Sequence, residues 1–328
     1  MTAHIRPFGQ TRDGRPVQAI RLASPDMVAT ILTWGAALQD VRLAGLAHGL
    51  TLGGPDMAAY EGPMAYFGTI VGPVANRIAG ARATIAGREH RFGANDGPNL
   101  LHSGSDGIHA RLWHIDDATA TDVRLSLVLP DGDGGFPGAR RITAQYRLSG
   151  AALTLALTAT TDTPTLMNLA QHGYWNLDGA PSTRGQRLFV TADRYLPVDA
   201  QLIPTGEERP VQDAFDLRAG RLLDGSEGFD HNFCLARAPR PLTEVARLEG
   251  RHATLHLATT EPGLQIYDGC GLDTAPFPGH GGAPYGPFAG LAMEPQRWPD
   301  APHHPGFPPI TLDPGETYRQ ETRWRFTL

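Results

Sequence analysis

The stretches R-I-T-A-Q-Y-R-L at 141–148 and L-T-L-A-L-T-A-T at 153–160 decide the fold class. In both, apolar and polar side chains alternate with a period of two, the pattern of a strand with one face on a core and the other turned outward. The chain ends the same way, in Y-R-Q-E-T-R-W-R-F-T-L at 318–328, so the C-terminus is expected as a strand tied into a sheet. Working outward, β-favouring runs recur at Val17–Leu22, Met27–Thr33, Leu38–Leu43, Val123–Leu129, Ile142–Leu148, Leu153–Thr161 and Arg187–Ala192. Others follow at Ala253–Thr259, Gly263–Tyr267 and Gly290–Glu294. A helical period is sustained nowhere over a dozen residues, and Pro55–Tyr60 reads as one or two helical turns. More than ten strands with hardly a helix imply stacked antiparallel sheets, an all-β sandwich or barrel. The glycine and proline clusters at Gly132–Gly138 and Pro276–Pro287 read as loops between strands, which leaves one β domain over residues 1–328.

Composition removes several function classes. With 41% hydrophobic residues in 328, the chain can bury a large core. Its basic residues are all Arg, and the absence of Lys excludes a Schiff-base lysine, pyridoxal-phosphate chemistry and a Walker A loop, each of which needs the amine. A formal net charge of −6 without a basic patch argues against nucleic acid as a partner. Two cysteines, Cys234 and Cys270, imply no disulfide framework and fit a reducing compartment. The start M-T-A-H-I-R-P-F-G lacks an apolar core and a cleavage site, and no run approaches a membrane span. The expectation is a cytoplasmic protein, monomer or homodimer, without membrane partners.

Six neighbourhoods crowd polar groups among aromatics and glycines. They are Y-F-G-T-I-V-G-P-V-A-N-R-I-A-G at 66–80, N-L-L-H-S-G-S-D-G-I-H-A-R-L-W at 99–113 and L-M-N-L-A-Q-H-G-Y-W-N-L-D-G at 166–179, then G-F-D-H-N-F at 228–233, E-P-G-L-Q-I-Y-D-G at 261–269 and G-L-A-M-E-P-Q-R-W-P-D at 290–300. At strand spacing Asn168, His172, Tyr174 and Asn176 share a face, and a polar face carrying an aromatic suits a sugar, which presents hydroxyls at its edge and C–H groups on its faces. Glu294 lies in an apolar run, where burial would raise its pKa toward that of a general base. Each feature also has a plain structural alternative: Arg77 as a solvated charge, His102 as a satisfied structural imidazole, Glu294 as an exposed strand end. Metal binding has weak support: His252 and His256 fall on one strand face and His303–His304 form a doublet, but H-E-x-x-H, a Cys pair and His-x-His are all missing. A G-x-S-x-G elbow is missing too, which gives a Ser-based hydrolase little support; no metal and no cofactor are expected.

Taken together and in order, N-R-I-A-G (76–80), N-L-L-H (99–102), G-F-P-G (135–138), P-V-D with L-I-P-T-G-E (197–207), D-H-N-F (230–233), P-G-L-Q-I-Y (262–267) and E-P-Q, P-D-A, H-P-G-F-P-P and L-D-P-G-E-T-Y (294–318) resemble the aldose 1-epimerases, the galactose mutarotase family. The resemblance implies a galactose mutarotase-like supersandwich, a large antiparallel β-sandwich with an open sugar cleft, and interconversion of the α and β anomers of a free aldose without a cofactor. By motif it assigns the catalytic pair to His172 and Glu294, and sugar contacts to Arg77, His102 and Asp230. Asn76, Gln265 and Tyr267 complete the expected substrate-binding set. Glu294 is then the base and His172 the acid, protonated near neutral pH with the help of a carboxylate such as Asp230. Pro73, Ser103, Gln171, Gly173 and Pro295 depart from the family wording and bear on which sugar is preferred. Epimerisation of hexose 6-phosphates, with Arg297 available for the phosphate, and a non-catalytic sugar-binding module remain open, with a polysaccharide hydrolase or lyase further off.

Overall fold

A computed structural model describes residues 4–328. The two alternating stretches form the neighbouring strands Arg140–Ser149 and Ala152–Thr161, paired antiparallel without a break in register from Arg140↔Thr161 to Ser149↔Ala152. The C-terminal strand Tyr318–Thr327 packs between Ala152–Thr161 and Thr254–Thr259, so the end of the chain closes the middle of a nine-stranded sheet. Burial along Tyr318–Thr327 alternates residue by residue, as a period-two sequence with one core face requires.

A six-stranded sheet lies against the nine-stranded one. Its order is Tyr174–Trp175, Leu291–Gln296, Gly263–Tyr267, Asp230–Cys234, Arg194–Tyr195 and Arg209–Pro210. Leu155, Leu157 and Tyr146 from the larger sheet share one apolar cluster with Phe233, Leu264, Ile266, Leu291 and Met293 from the smaller. Two sheets with a common core between their inner faces make an antiparallel β-sandwich. Four further strands, His4–Gln10, Pro16–Ala23, Met27–Leu32 and Leu38–Leu43, form a sheet of their own.

Helix is scarce, as expected: Met57–Tyr60 is a single α-helical turn whose Ala58 amide is capped by the Asp56 carboxylate. Sequence reading passes over several strands that do form, among them Arg88–Arg91 and His114–Ala118. They are short, polar and largely exposed, and pairing with a neighbour rather than intrinsic preference holds them. Two expectations are corrected. The segment 165–176 is not one strand but three two-residue pieces, Thr165–Leu166, Ala170–Gln171 and Tyr174–Trp175, each pairing elsewhere. His252 precedes the strand Thr254–Thr259 and does not share a strand face with His256.

Candidate active site

Strand register assembles one wall of the site. Across the six-stranded sheet, Tyr174 pairs with Ala292, Ala292 with Tyr267, and Tyr267 with Asp230. The next row on the same face runs Glu294, Gln265, Asn232. Alternate residues of these strands, Leu264, Ile266, Leu291 and Met293, point into the core, so the row members turn the other way. Three stretches far apart in sequence thereby place Asp230, Tyr267 and Glu294 side by side.

The opposite side is built by two loops that lock together. Arg77–Ile78 pairs antiparallel with Leu100–Leu101, joining the N-R and N-L-L-H stretches. Asn76 (φ 60°) and His102 (φ 50°) both adopt left-handed backbone, which costs roughly 1–3 kcal/mol per residue. Reciprocal hydrogen bonds offset that cost: the His102 amide donates to the Asn76 carbonyl (2.9 Å) and the Asn76 amide donates to His102 Nδ1 (3.1 Å). Asp300, from the C-terminal block, accepts the Ala79 amide at 2.9 Å and holds the Arg77 loop from behind.

Between these walls lies a cleft of about 550 Å³, lined by Asn76, Arg77, His102, His172, Asp230, Tyr267 and Glu294 with Tyr66, Phe67 and Tyr174. That volume suits a small ligand. At its base Glu294 Oε1 stands 3.6 Å from His172 Nε2, with both side chains buried. His172 is held by its backbone: its amide donates to the Thr69 carbonyl and its carbonyl accepts the Gly68 amide, each at 2.9 Å. Gln171 braces the turn, donating to the Gly68 carbonyl and accepting the Gly173 amide. A Cβ on Gly173 would stand 2.8 Å from Gln171 Oε1, which explains a glycine beside the histidine.

Burial disfavours charge on both members of the pair. It raises the Glu294 carboxyl well above its ordinary range, with Asp230 adding repulsion and Arg77 opposing it. It lowers His172 to about 4. Burial thus works against the expectation of an imidazole kept protonated by Asp230, and the carboxylate that faces the ring is Glu294, 3.6 Å away.

The remaining expected residues divide by role. Arg77 donates through Nε to Asp96 Oδ2 (2.7 Å), and its NH1 lies 3.8 Å from Asp230 Oδ2. Gln265 does not line the cleft; it sits behind Asp230 and donates to its Oδ1 at 2.6 Å. Asn168 and Asn176 are also turned away, the first bonded to the Arg297 backbone and the second to the Ala180 and Ala289 carbonyls. Sequence reasoning missed Tyr66, whose ring stands 4.8 Å from those of His102 and His109 and 5.7 Å from that of His172. It opens the quoted Y-F-G stretch, but nothing in its spacing distinguishes it from a core aromatic.

His102, His172 and Glu294 each bring one nitrogen or oxygen within 4.8 Å of the others, the one such group of potential metal ligands among the described residues. The His102 tautomer fits a different task. Because Nδ1 accepts the Asn76 amide, the neutral ring carries its proton on Nε2 and offers a donor, not a lone pair, to the cleft. A donor beside a buried carboxylate–imidazole pair and a guanidinium suits a neutral, oxygen-rich ligand better than a cation.

Comparison with known proteins identifies the family. The family described as aldose 1-epimerase matches residues 18–325. The galactose mutarotase of Mus musculus is 39% identical, with 98% of this chain and 97% of the relative covered. The aldose 1-epimerase of Escherichia coli K12 is 34% identical, with 96% of each covered. Among solved structures, an aldose epimerase homologue from C. elegans superposes with a TM-score of 0.88 at 30% identity, covering 94% of this chain and 98% of that one. The galactose 1-epimerase of Lactobacillus acidophilus gives 0.85 at 26%, covering 100% and 99%. The chain belongs to the aldose 1-epimerase family, whose members are isomerases.

Proposed function

We propose that this chain is a mutarotase that interconverts the α and β anomers of a free aldose, galactose or glucose being the first candidates. The observation that supports it most is the buried Glu294–His172 pair, 3.6 Å apart at the base of a cleft of about 550 Å³. Opening a pyranose takes a proton from O1 and delivers one to the ring oxygen, so the site's proton count is unchanged. With Glu294 as carboxylate and His172 as imidazolium, the O1 proton passes to Glu294, the C1–O5 bond breaks as O1 becomes the aldehyde oxygen, and His172 protonates O5. Rotation about C1–C2 and closure on the other face return both protons. A bound sugar favours this ionic form over the neutral one: Glu294 Oε2 is buried without a hydrogen-bond partner, and a substrate hydroxyl donating to it stabilises the carboxylate. Arg77, His102, Asp230, Asn76 and Tyr267 would hold the sugar, with Gln265 fixing Asp230. The reading of the chain as one domain rests on the core shared by both sheets.

Hexose 6-phosphates find less support. Arg297 donates to the Pro309 carbonyl and lies over the Tyr318 ring, outside the cleft. A binding module would have no use for a matched acid and base in contact. Polarimetry of freshly dissolved α-D-galactose and α-D-glucose tests the proposal: the folded wild-type protein accelerates the approach to anomeric equilibrium. Folded protein that leaves both rates unchanged overturns it.

A further inference from the structure

We propose that Asp96 is a specificity-determining residue that makes the cleft discriminate against anionic sugars, the uronates and sugar phosphates; this rests on the mutarotase reading of the same site. Arg77 is the one arginine lining the cleft, and the chain contains no Lys. An anionic sugar entering such a site would be drawn to that guanidinium. Asp96 occupies it first. Its Oδ2 accepts Arg77 Nε–H at 2.7 Å, on the edge of the guanidinium away from NH1, which faces Asp230 Oδ2 at 3.8 Å.

Two carboxylates, Asp96 and Asp230, thus stand at the one guanidinium. A negatively charged ligand at the guanidinium therefore meets the repulsion of Asp96 where a neutral aldose does not. Asp96 does not line the cleft itself; it acts through Arg77, as a positioning residue. Its placement is built into the loop that presents His102. Asn95 Nδ2 donates to the Leu101 carbonyl and Asn95 Oδ1 accepts the Leu101 amide, while Asp96 and Asn99 pair as an isolated bridge. The Asp96 side chain is 37% exposed and that of Arg77 10%, so the pair sits at the rim, where salt screens it.

Asp96→Asn keeps an acceptor for Arg77 Nε and removes only the charge. Polarimetry with D-galactose and D-galacturonate reads kcat/KM for each, and calorimetry reads their affinities independently of turnover. At low salt, D96N raises the galacturonate-to-galactose ratio about three- to tenfold, with kcat for galactose within about twofold of wild type. The gain narrows in about 0.5 M salt, as a screened charge effect must. Asp96→Ala shifts the ratio the same way but also raises KM for galactose, because Arg77 loses its anchor. A ratio unchanged in D96N, or an equal loss for both sugars that salt does not alter, overturns the proposal and leaves Asp96 a structural residue. If the wild-type protein accelerates neither sugar, the mutarotase reading fails instead, and the binding ratio still decides the charge effect.

Discussion

The two large sheets use the same alternation for opposite ends. In the nine-stranded sheet, Arg140–Ser149 and Tyr318–Thr327 bury every second residue and leave most of the others toward solvent, so the outward face carries little cost. In the six-stranded sheet, Leu291–Gln296 is buried at every position, and its second face carries Glu294 and Gln296. The side-chain amide of Gln296 and Glu294 Oε2 are without hydrogen-bond partners among the described residues. Buried polar groups left unpaired cost free energy. The outer sheet spends its alternation on stability; the cleft sheet gives some of that up for a desolvated acid–base pair.

Three substitutions sharpen or break this contrast. Glu294→Gln carries the largest effect: it removes the proton acceptor and lowers kcat about 10²–10⁴-fold, while the melting temperature stays level or rises because a buried ionisable group is gone. Polarimetry and thermal unfolding on one preparation check both halves; a matched fall in stability would erase the distinction between the sheets. Leu155→Ala, in the middle of the outer sheet, is the mirror image. Leu155 is 1% exposed, and its truncation costs about 2–5 kcal/mol of unfolding free energy with kcat per folded molecule unchanged. Denaturant titration gives the first number, and rates normalised to folded fraction give the second.

The smallest effect tests the crossing point between the sheets. Glu261 lies between Thr254–Thr259 of the outer sheet and Gly263–Tyr267 of the cleft sheet, fully buried, and burial pushes its carboxyl up to about 7. A raised folded pKa means that the native state holds a proton which the unfolded chain has already released, so stability falls as pH rises from about 4.5 to about 7. The loss is at most about 3 kcal/mol. Raised carboxyls such as Glu294 act in the same direction and lowered histidines such as His172 in the opposite one, so the difference between wild type and Glu261→Gln isolates the effect. The wild type loses stability relative to the variant across that pH window in denaturant titrations; a constant difference would mean that Glu261 is already ionised in the folded state.

The outer sheet was legible in the sequence because its strands are long and one-sided. Its long runs near 142 and 153 fall short only at their ends, and outside it Leu38–Leu43 and Gly263–Tyr267 have the boundaries expected of them. The cleft sheet was half legible. Glu294 announced itself as an acid in an apolar run, and the motif order pointed to His172, Arg77 and His102. The shared face proposed for Asn168, His172, Tyr174 and Asn176 was not real, because backbone pairing at three separate places breaks the segment and turns both asparagines inward. Tyr66 and Asp96 gave no signal: an aromatic in an apolar stretch and an acid in a loop are ordinary until their neighbours are known.

The sequence by itself determined the fold class and the family, and excluded amine and P-loop chemistry. These are properties of periodicity, composition and motif order, which need no knowledge of distance. The tertiary structure decided which groups meet: Glu294 facing His172 at 3.6 Å, Arg77 shared by Asp96 and Asp230, Arg297 turned out of the cleft. Proton affinity and charge pairing depend on burial and on separations of a few ångströms between residues as far apart as 172 and 294. Strand register across the folded sheet sets those quantities.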